Sequence, residues 1–171
     1  MAIFRDDENP WNRLDWRLLQ NGAVTLYSRP EILAEDLAWL AANRYVIDRL
    51  DCRTWTTAAA VHGALATALS FPAYYGENLD ALSDCLSTLA IPDEGGRVLV
   101  FDRFDVPARA LIGLATRVLD VIAVQARQHL LFGHRLLALL QSDDPKLGFD
   151  PIGATSVTWN PREWLTAARG S

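Results

Sequence analysis

Two unbroken apolar runs, VLVF at residues 98–101 and LLALL at residues 136–140, constrain this chain more than any other feature. A strand with one wet face alternates apolar and polar side chains, so a strand apolar at every position must be covered on both faces. Residues 45–50 read as a third strand, partly β-branched and followed by Asp51-Cys52, with Val46 and Ile47 turned inward. Helical patterns separate these strands. TTAAAVHGALATALS, residues 56–70, is alanine-rich, with Thr56 as candidate cap, Val61, Leu65 and Leu69 on the packed side, and Gly63 weakening it slightly. A longer pattern at 107–132 carries Leu111, Leu114, Val118, Val121 and Ile122, has Gly133 as its C-cap and Gly113 as a point where it divides. Strands alternating in this way with helices predict an α/β fold: a three-stranded parallel sheet packed with helices through right-handed crossovers.

The flanks add to that core. Residues 1–13 read as a polar tail. In DWRLLQNGAVTLYSR, residues 15–29, two short apolar runs flank Asn21-Gly22, the dipeptide of tight hairpins, and a β-hairpin is expected. Pro30 suits the first turn of a following helix that ends near Asn43. Glu31, Glu35 and Asp36 complement its positive end, and Ile32, Leu33, Leu37 and Leu40 form its buried stripe. Beyond a loop at 142–153, Val157 and Trp159 alternate in strand fashion and Pro161 introduces a last short helix at 163–168. A chain of 171 residues, half of them hydrophobic and 22% charged, suits one domain, with a core at about 44–141 and extensions at 1–43 and 142–171. The expected location is the cytoplasm, since the sequence has no 18-residue apolar run and its opening lacks a signal peptide's apolar segment. Cys52 and Cys85 are too few for a disulfide framework or a zinc quartet, and both are expected reduced.

The most informative stretch is FPAYYGENLDALSDCL, residues 71–86. Phe71-Pro72 ends the preceding helix, Gly76 supplies a turn, and Asn78 is the N-cap of a helix with Leu79, Leu82, Leu86 and Leu89 on its core face. Asp80 and Asp84 stand four apart on another face, where like charges repel. The net charge of −5 is concentrated here: between Arg53 and Arg97 there is no lysine or arginine, while Glu77, Asp80, Asp84, Asp93 and Glu94 are acidic. Of 21 acidic residues, the 16 outside this stretch balance 16 basic ones. Such a field attracts a basic partner and repels nucleic acid.

Enzyme readings are weaker. Asp80, Asp84 and Glu77 have no histidine or further ligand at a metal spacing, so no metal and no cofactor are expected. His62, His129 and His134 lie in or beside helices without a nucleophile pattern and are read as structural, and Cys85, beside the apolar face, as a core residue. Gly95-Gly96 lacks the strand and helix context of a phosphate loop.

The motif YYGENLDALSDCL, residues 74–86, resembles the signature of the barstar family of intracellular inhibitors of secreted microbial ribonucleases. The element order over about 44–141 is similar as well. The resemblance implies a barstar-like three-stranded parallel sheet with helices, here extended at both ends. It implies a protein that is no enzyme, a monomer when free, and that blocks the active site of a basic extracellular-type ribonuclease or nuclease toxin. Direct nucleic-acid or membrane binding is not expected. By the motif, Tyr74 is the contact tyrosine, Asp80 and Asp84 the acidic contacts with Asp84 as anchor, and Tyr75, Gly76, Glu77, Asn78, Ser83 and Ser87 complete the surface. The complex of barnase with barstar is itself the reference case for charge steering and for an aspartate hot spot, so both enter with the resemblance. This chain departs from the family pattern at Ser83, where a tryptophan is common, at Leu89 and Ser87, and near Gln128, where the family can supply an acid. Those departures, with the added segments holding Trp16, Trp39, Trp159 and Trp164, keep a second reading open: an adaptor or regulatory module with the same fold and a changed partner. Sheet-edge cover is the expected role of the additions.

Overall fold

The computed structural model describes residues 12–152 and 156–167; most of the expected polar tail lies outside them. In chain order the elements are α1 (Leu14–Leu19), β1 (Val24–Tyr27), α2 (Pro30–Ala42), β2 (Tyr45–Asp51), α3 (Ala58–Ala68) and α4 (Leu79–Ser87). Then follow β3 (Gly96–Asp102), α5 (Asp105–Ala110), α6 (Ile112–Leu131), β4 (Leu136–Gln141), β5 (Thr158–Trp159) and α7 (Pro161–Ala167). The strands form one sheet in the order β2-β3-β4-β1-β5, and every pairing is parallel.

Side-chain alternation explains the two apolar runs. In β3, Leu99 and Phe101 enter the core cluster beneath α3, α4, α5 and α6, while Val98 and Val100 enter the cluster beneath α1 and α2. In β4, Leu136, Ala138 and Leu140 go to the first cluster, Leu137 and Leu139 to the second. Both strands are central, so neither face meets water.

The expected hairpin is absent. DWRLL lies within a helix, α1, because Leu14 and Leu18 share one face and both are buried in the second cluster. Gly22 does take a positive φ of 104°, as its dipeptide suggests, but it turns the chain from a helix into β1. All four residues of β1 are buried, and a buried strand needs neighbours on both sides; it finds β4 and β5. The three-stranded core is thereby widened to five strands, and the additions cover the outer edge of β4. A polar seam joins the two ends: the Tyr27 hydroxyl donates to Asp36 at 2.6 Å, Asn160 Nδ2 donates to Asp36 at 3.0 Å, and Arg162 pairs with Asp36.

Three other expectations shift. Val46 is exposed, because β2 is an edge strand whose buried residues are Tyr45 and Leu50. Thr57, rather than Thr56, caps α3 by accepting from Ala60 N at 3.2 Å. The long helical pattern divides at Leu111 (φ −143°), and Gly113 lies within the first turn of α6. Gly133, with φ 78°, ends α6 as expected; its N–H donates to Leu130 O and that of His134 to His129 O, both at 3.0 Å. Gly95 has a positive φ of 78°, and a Cβ there would lie 2.2 Å from Arg44 O, so the start of β3 admits no side chain.

Candidate functional site

The loop at 69–78 and helix α4 hold the residues singled out in the sequence. Phe71 N donates to Ala66 O and Tyr75 N to Pro72 O, both at 2.9 Å, so the proline turn folds back onto the end of α3. The two tyrosines of the motif then part. Tyr75 turns inward: its ring lies 4.9 Å from that of Phe71, and its hydroxyl is 2.6 Å from His62 Nδ1. Burial, then the nearby Cys85 and Glu77, push the Tyr75 hydroxyl up to about 12, so it stays protonated and able to donate to His62. Burial holds His62 below its usual range against the opposing Glu77 carboxylate, which suits a neutral ring accepting at Nδ1. Tyr74, next in the chain, is 88% exposed.

Gly76 does not make the left-handed turn expected of it. That conformation falls on Glu77, at φ 51°, and Gly76 instead leaves room for the Asn78 amide, which a Cβ would approach to 3.0 Å. Asn78 caps α4: its Oδ1 accepts from Ala81 N at 2.8 Å while its Nδ2 donates to Gly76 O at 3.2 Å. Turn and helix start are thus locked by one side chain.

Helix α4 buries Leu82 and Leu86 completely, and Leu79 and Leu89 pack against the same cluster. With that face fixed, Asp80, Asp84 and Ser87, at i, i+4 and i+7, form an exposed stripe. The Ser87 hydroxyl is taken up within the helix, donating to Asp84 O at 2.6 Å. Ser83 is half-buried and accepts from Gln125 Nε2 of α6 at 2.9 Å, so it joins helix to helix instead of standing free. One turn on, His129 Nε2 donates to Leu86 O at 2.7 Å. Gln125 and His129 were not singled out as partners of α4; their signal was a polar pair at i, i+4 beside the apolar positions of α6.

Among the described residues most acids outside this region pair with an arginine, exposed Glu31 and Asp150 being exceptions. Asp15 pairs with Arg13 and Arg135, Asp36 and Glu35 with Arg162, Asp48 with Arg97, Asp51 with Arg53, Asp102 with Arg49, and Asp105 with Arg103. Among the described residues, Glu77, Asp80 and Asp84 enter no salt bridge. They are exposed, close in sequence and without a cation to share. Their charge is available to a partner.

Nucleophilic chemistry has little support here. Cys85 is half-buried beside the core face, and burial with the adjacent Asp84 carboxylate pushes its thiol up, away from the reactive thiolate. His62 and His129 are buried in hydrogen bonds to Tyr75 and to a backbone carbonyl, and His134 contacts Asp93 at 3.0 Å. Among the described residues, no three His, Cys, Asp or Glu side chains are grouped to hold a metal ion, and no helix is long and apolar enough to cross a membrane.

A protein-family model described as Barstar (barnase inhibitor) matches residues 35–141. The match takes in α3, the loop, α4, β3 and β4. No curated protein matches the chain. Among solved structures, a chain in "Structure of Drosophila ORC bound to AT-rich DNA and Cdc6" is 16% identical with a TM-score of 0.47, over 74% of this chain and 42% of that one. This chain thus spans less than half the length of that neighbour.

Proposed function

The chain belongs to the barstar family, and from that premise we propose that it is an inhibitor that blocks the active site of a basic microbial ribonuclease with α4 and the tyrosine loop. The observation that carries this reading is the set of unpaired, exposed acids Glu77, Asp80 and Asp84 beside the exposed Tyr74. A carboxylate offers the two oxygens with which an RNA phosphate would take bidentate arginine contacts, so Asp84 and Asp80 occupy the nuclease's phosphate-binding groups. Asp84 is the anchor. Tyr74 lays an aromatic face over the rim, and the backbone at Gly76, Glu77 and Asn78 sets its height. Tyr75 and Ser83 act from behind, by holding the loop and the α4–α6 packing in place, while Ser87 stands on the contact stripe beside Asp84. A concentrated negative field speeds encounter with a basic enzyme, and the encounter slows as salt screens it. In this reading the protein works as a cytoplasmic monomer, without cofactor, and residues 1–43 and 142–171 are additions to the inhibitory core.

The experiment is inhibition of barnase and a set of basic microbial ribonucleases by the wild type and by Asp84→Ala. Loss of about 2 kcal/mol or more of binding, with the circular dichroism of the fold retained, is the expected result. Undiminished inhibition by Asp84→Ala would remove Asp84 as anchor. A chain that binds none of these enzymes favours the adaptor reading, which draws on Ser83 being tied to Gln125 instead of projecting an apolar contact.

A further inference from the structure

Helix α4 alone makes a poor interface. It has nine residues, about 13 Å of length, and its exposed stripe of Asp80, Asp84 and Ser87 is wholly polar. A stable complex buries on the order of 800 Å² per partner around a core that is more apolar than its rim. Apolar surface must come from beside the helix, and the contacts between α4 and α6 show where.

The bonds Gln125–Ser83 and His129–Leu86 O fix the side of α6 that faces α4. Buried Ala115, Leu119, Ile122 and Ala126 mark the core side of α6. Moving round the helix from that core side, past Gln125 and His129, half-buried Val121 comes first and then the exposed Gln128, Val124 and Leu131, with Phe132 at the helix end; exposed Arg117 lies on the same line two turns before Val124. Val124 is 38% exposed, and Leu131 and Phe132 are each 75% exposed. On α4 the corresponding turn, from the buried Leu82 and Leu86 past Ser83, leads to Ser87, Asp80 and Asp84. The two ridges therefore stand on the same side of the α4–α6 contact, one acidic and one apolar over its C-terminal half, with exposed Arg127 on the far side of Leu131.

We infer that Val124, Gln128, Leu131 and Phe132 form the apolar half of the partner-binding surface and take an apolar patch flanking the basic active site of the ribonuclease. The inference rests on the inhibitor reading above. Its charge complement is specific: a partner basic opposite α4 and uncharged opposite the end of α6.

The probe is whichever member of the ribonuclease set, barnase included, the wild type inhibits most strongly. Leu131→Ser/Phe132→Ser should weaken binding about tenfold or more through faster dissociation, while association and its fall between about 0.05 M and about 0.5 M salt remain as in the wild type. Gln128→Lys, which sets a cation against the edge of a basic site, is a second variant at an exposed position and should weaken binding as well. Asp84→Ala should speed dissociation too, but unlike the α6 variants it should also slow association and flatten its salt dependence. Dissociation unchanged within about twofold in both α6 variants, with Asp84→Ala still impaired, overturns this inference and leaves the inhibitor reading standing. Failure of the wild type to bind any member removes both. A wild type that sediments as a dimer, turned monomeric by the serine variant with inhibition unchanged, overturns the inference by making the ridge a contact between copies of the chain.

Discussion

Replacing Asp84 with Asn should make the free protein more stable, although it removes the proposed anchor. Two effects add. Asp80 and Asp84 face the same side four residues apart, and ending that repulsion is worth about 0.2 to 0.5 kcal/mol. Asp84 also opens the last turn of α4, where the helix dipole presents its negative end and no basic residue compensates; removing a carboxylate there is worth about 0.3 to 1 kcal/mol. Nothing is lost in exchange, because Ser87 and Thr88 donate to the backbone carbonyl of Asp84 and not to its side chain. The sum, about 0.5 to 1.5 kcal/mol, raises Tm by about 1 to 6 °C in a chain of this size. Asp80→Asn is the internal control. It relieves the same repulsion but sits in the first turn, where a carboxylate is favourable, so its net effect runs from about 0.8 kcal/mol destabilising to about 0.2 stabilising. Calorimetry and urea titration at low and at molar salt separate the two variants, since both effects are screened. An Asp84→Asn protein no more stable than the wild type, or a gain that persists undiminished in molar salt, refutes the reasoning.

Gly95→Ala should destabilise by about 2 to 5 kcal/mol, combining the left-handed backbone with a Cβ 2.2 and 2.4 Å from Arg44 O and C; a urea midpoint close to that of the wild type would contradict it. For His62 the sign is set by its lowered folded-state value: below the usual value of 6.5 the unfolded chain binds the proton that the folded chain refuses. Its contribution is complete above pH 6.5 and is lost as the pH falls from there through the folded-state value, so His62→Gln should flatten the stability–pH profile in that interval. Urea titrations across that range measure it, and an unchanged slope counts against a neutral, buried His62.

What the sequence made legible depended on how local the cause was. The apolar runs of β3 and β4 announced double coverage, and the alternation of Val98 and Val100 with Leu99 and Phe101 between two clusters is that coverage realised. Asn78 as cap, Gly133 as terminator and the stripe of Asp80 and Asp84 were legible because each is decided within a turn of helix. Features decided by distant partners were not. Leu14 and Leu18 become helical because the second cluster takes them, and Val46 is exposed because β2 has no neighbour on one side. One local feature was missed as well: the turn at Gly76 puts its positive φ on Glu77, while Gly76 makes room for the capping amide of Asn78. The α4–α6 register was hidden because Ser83 and Gln125 lie far apart in sequence.

The place of β1 in the sheet also sets a schedule. Val24 pairs with Ala138 and Thr25 with Thr158, so β1 is made well before either of the strands it joins. Meanwhile β2, β3 and β4 can align as each appears, because they are consecutive in the chain and adjacent in the sheet. Such widely separated pairings form late, after the entropy of closing a long loop has been met. β1 is made before β2, β3 and β4 yet installed after them, and through that interval the side of β4 it will cover is open to any other extended chain.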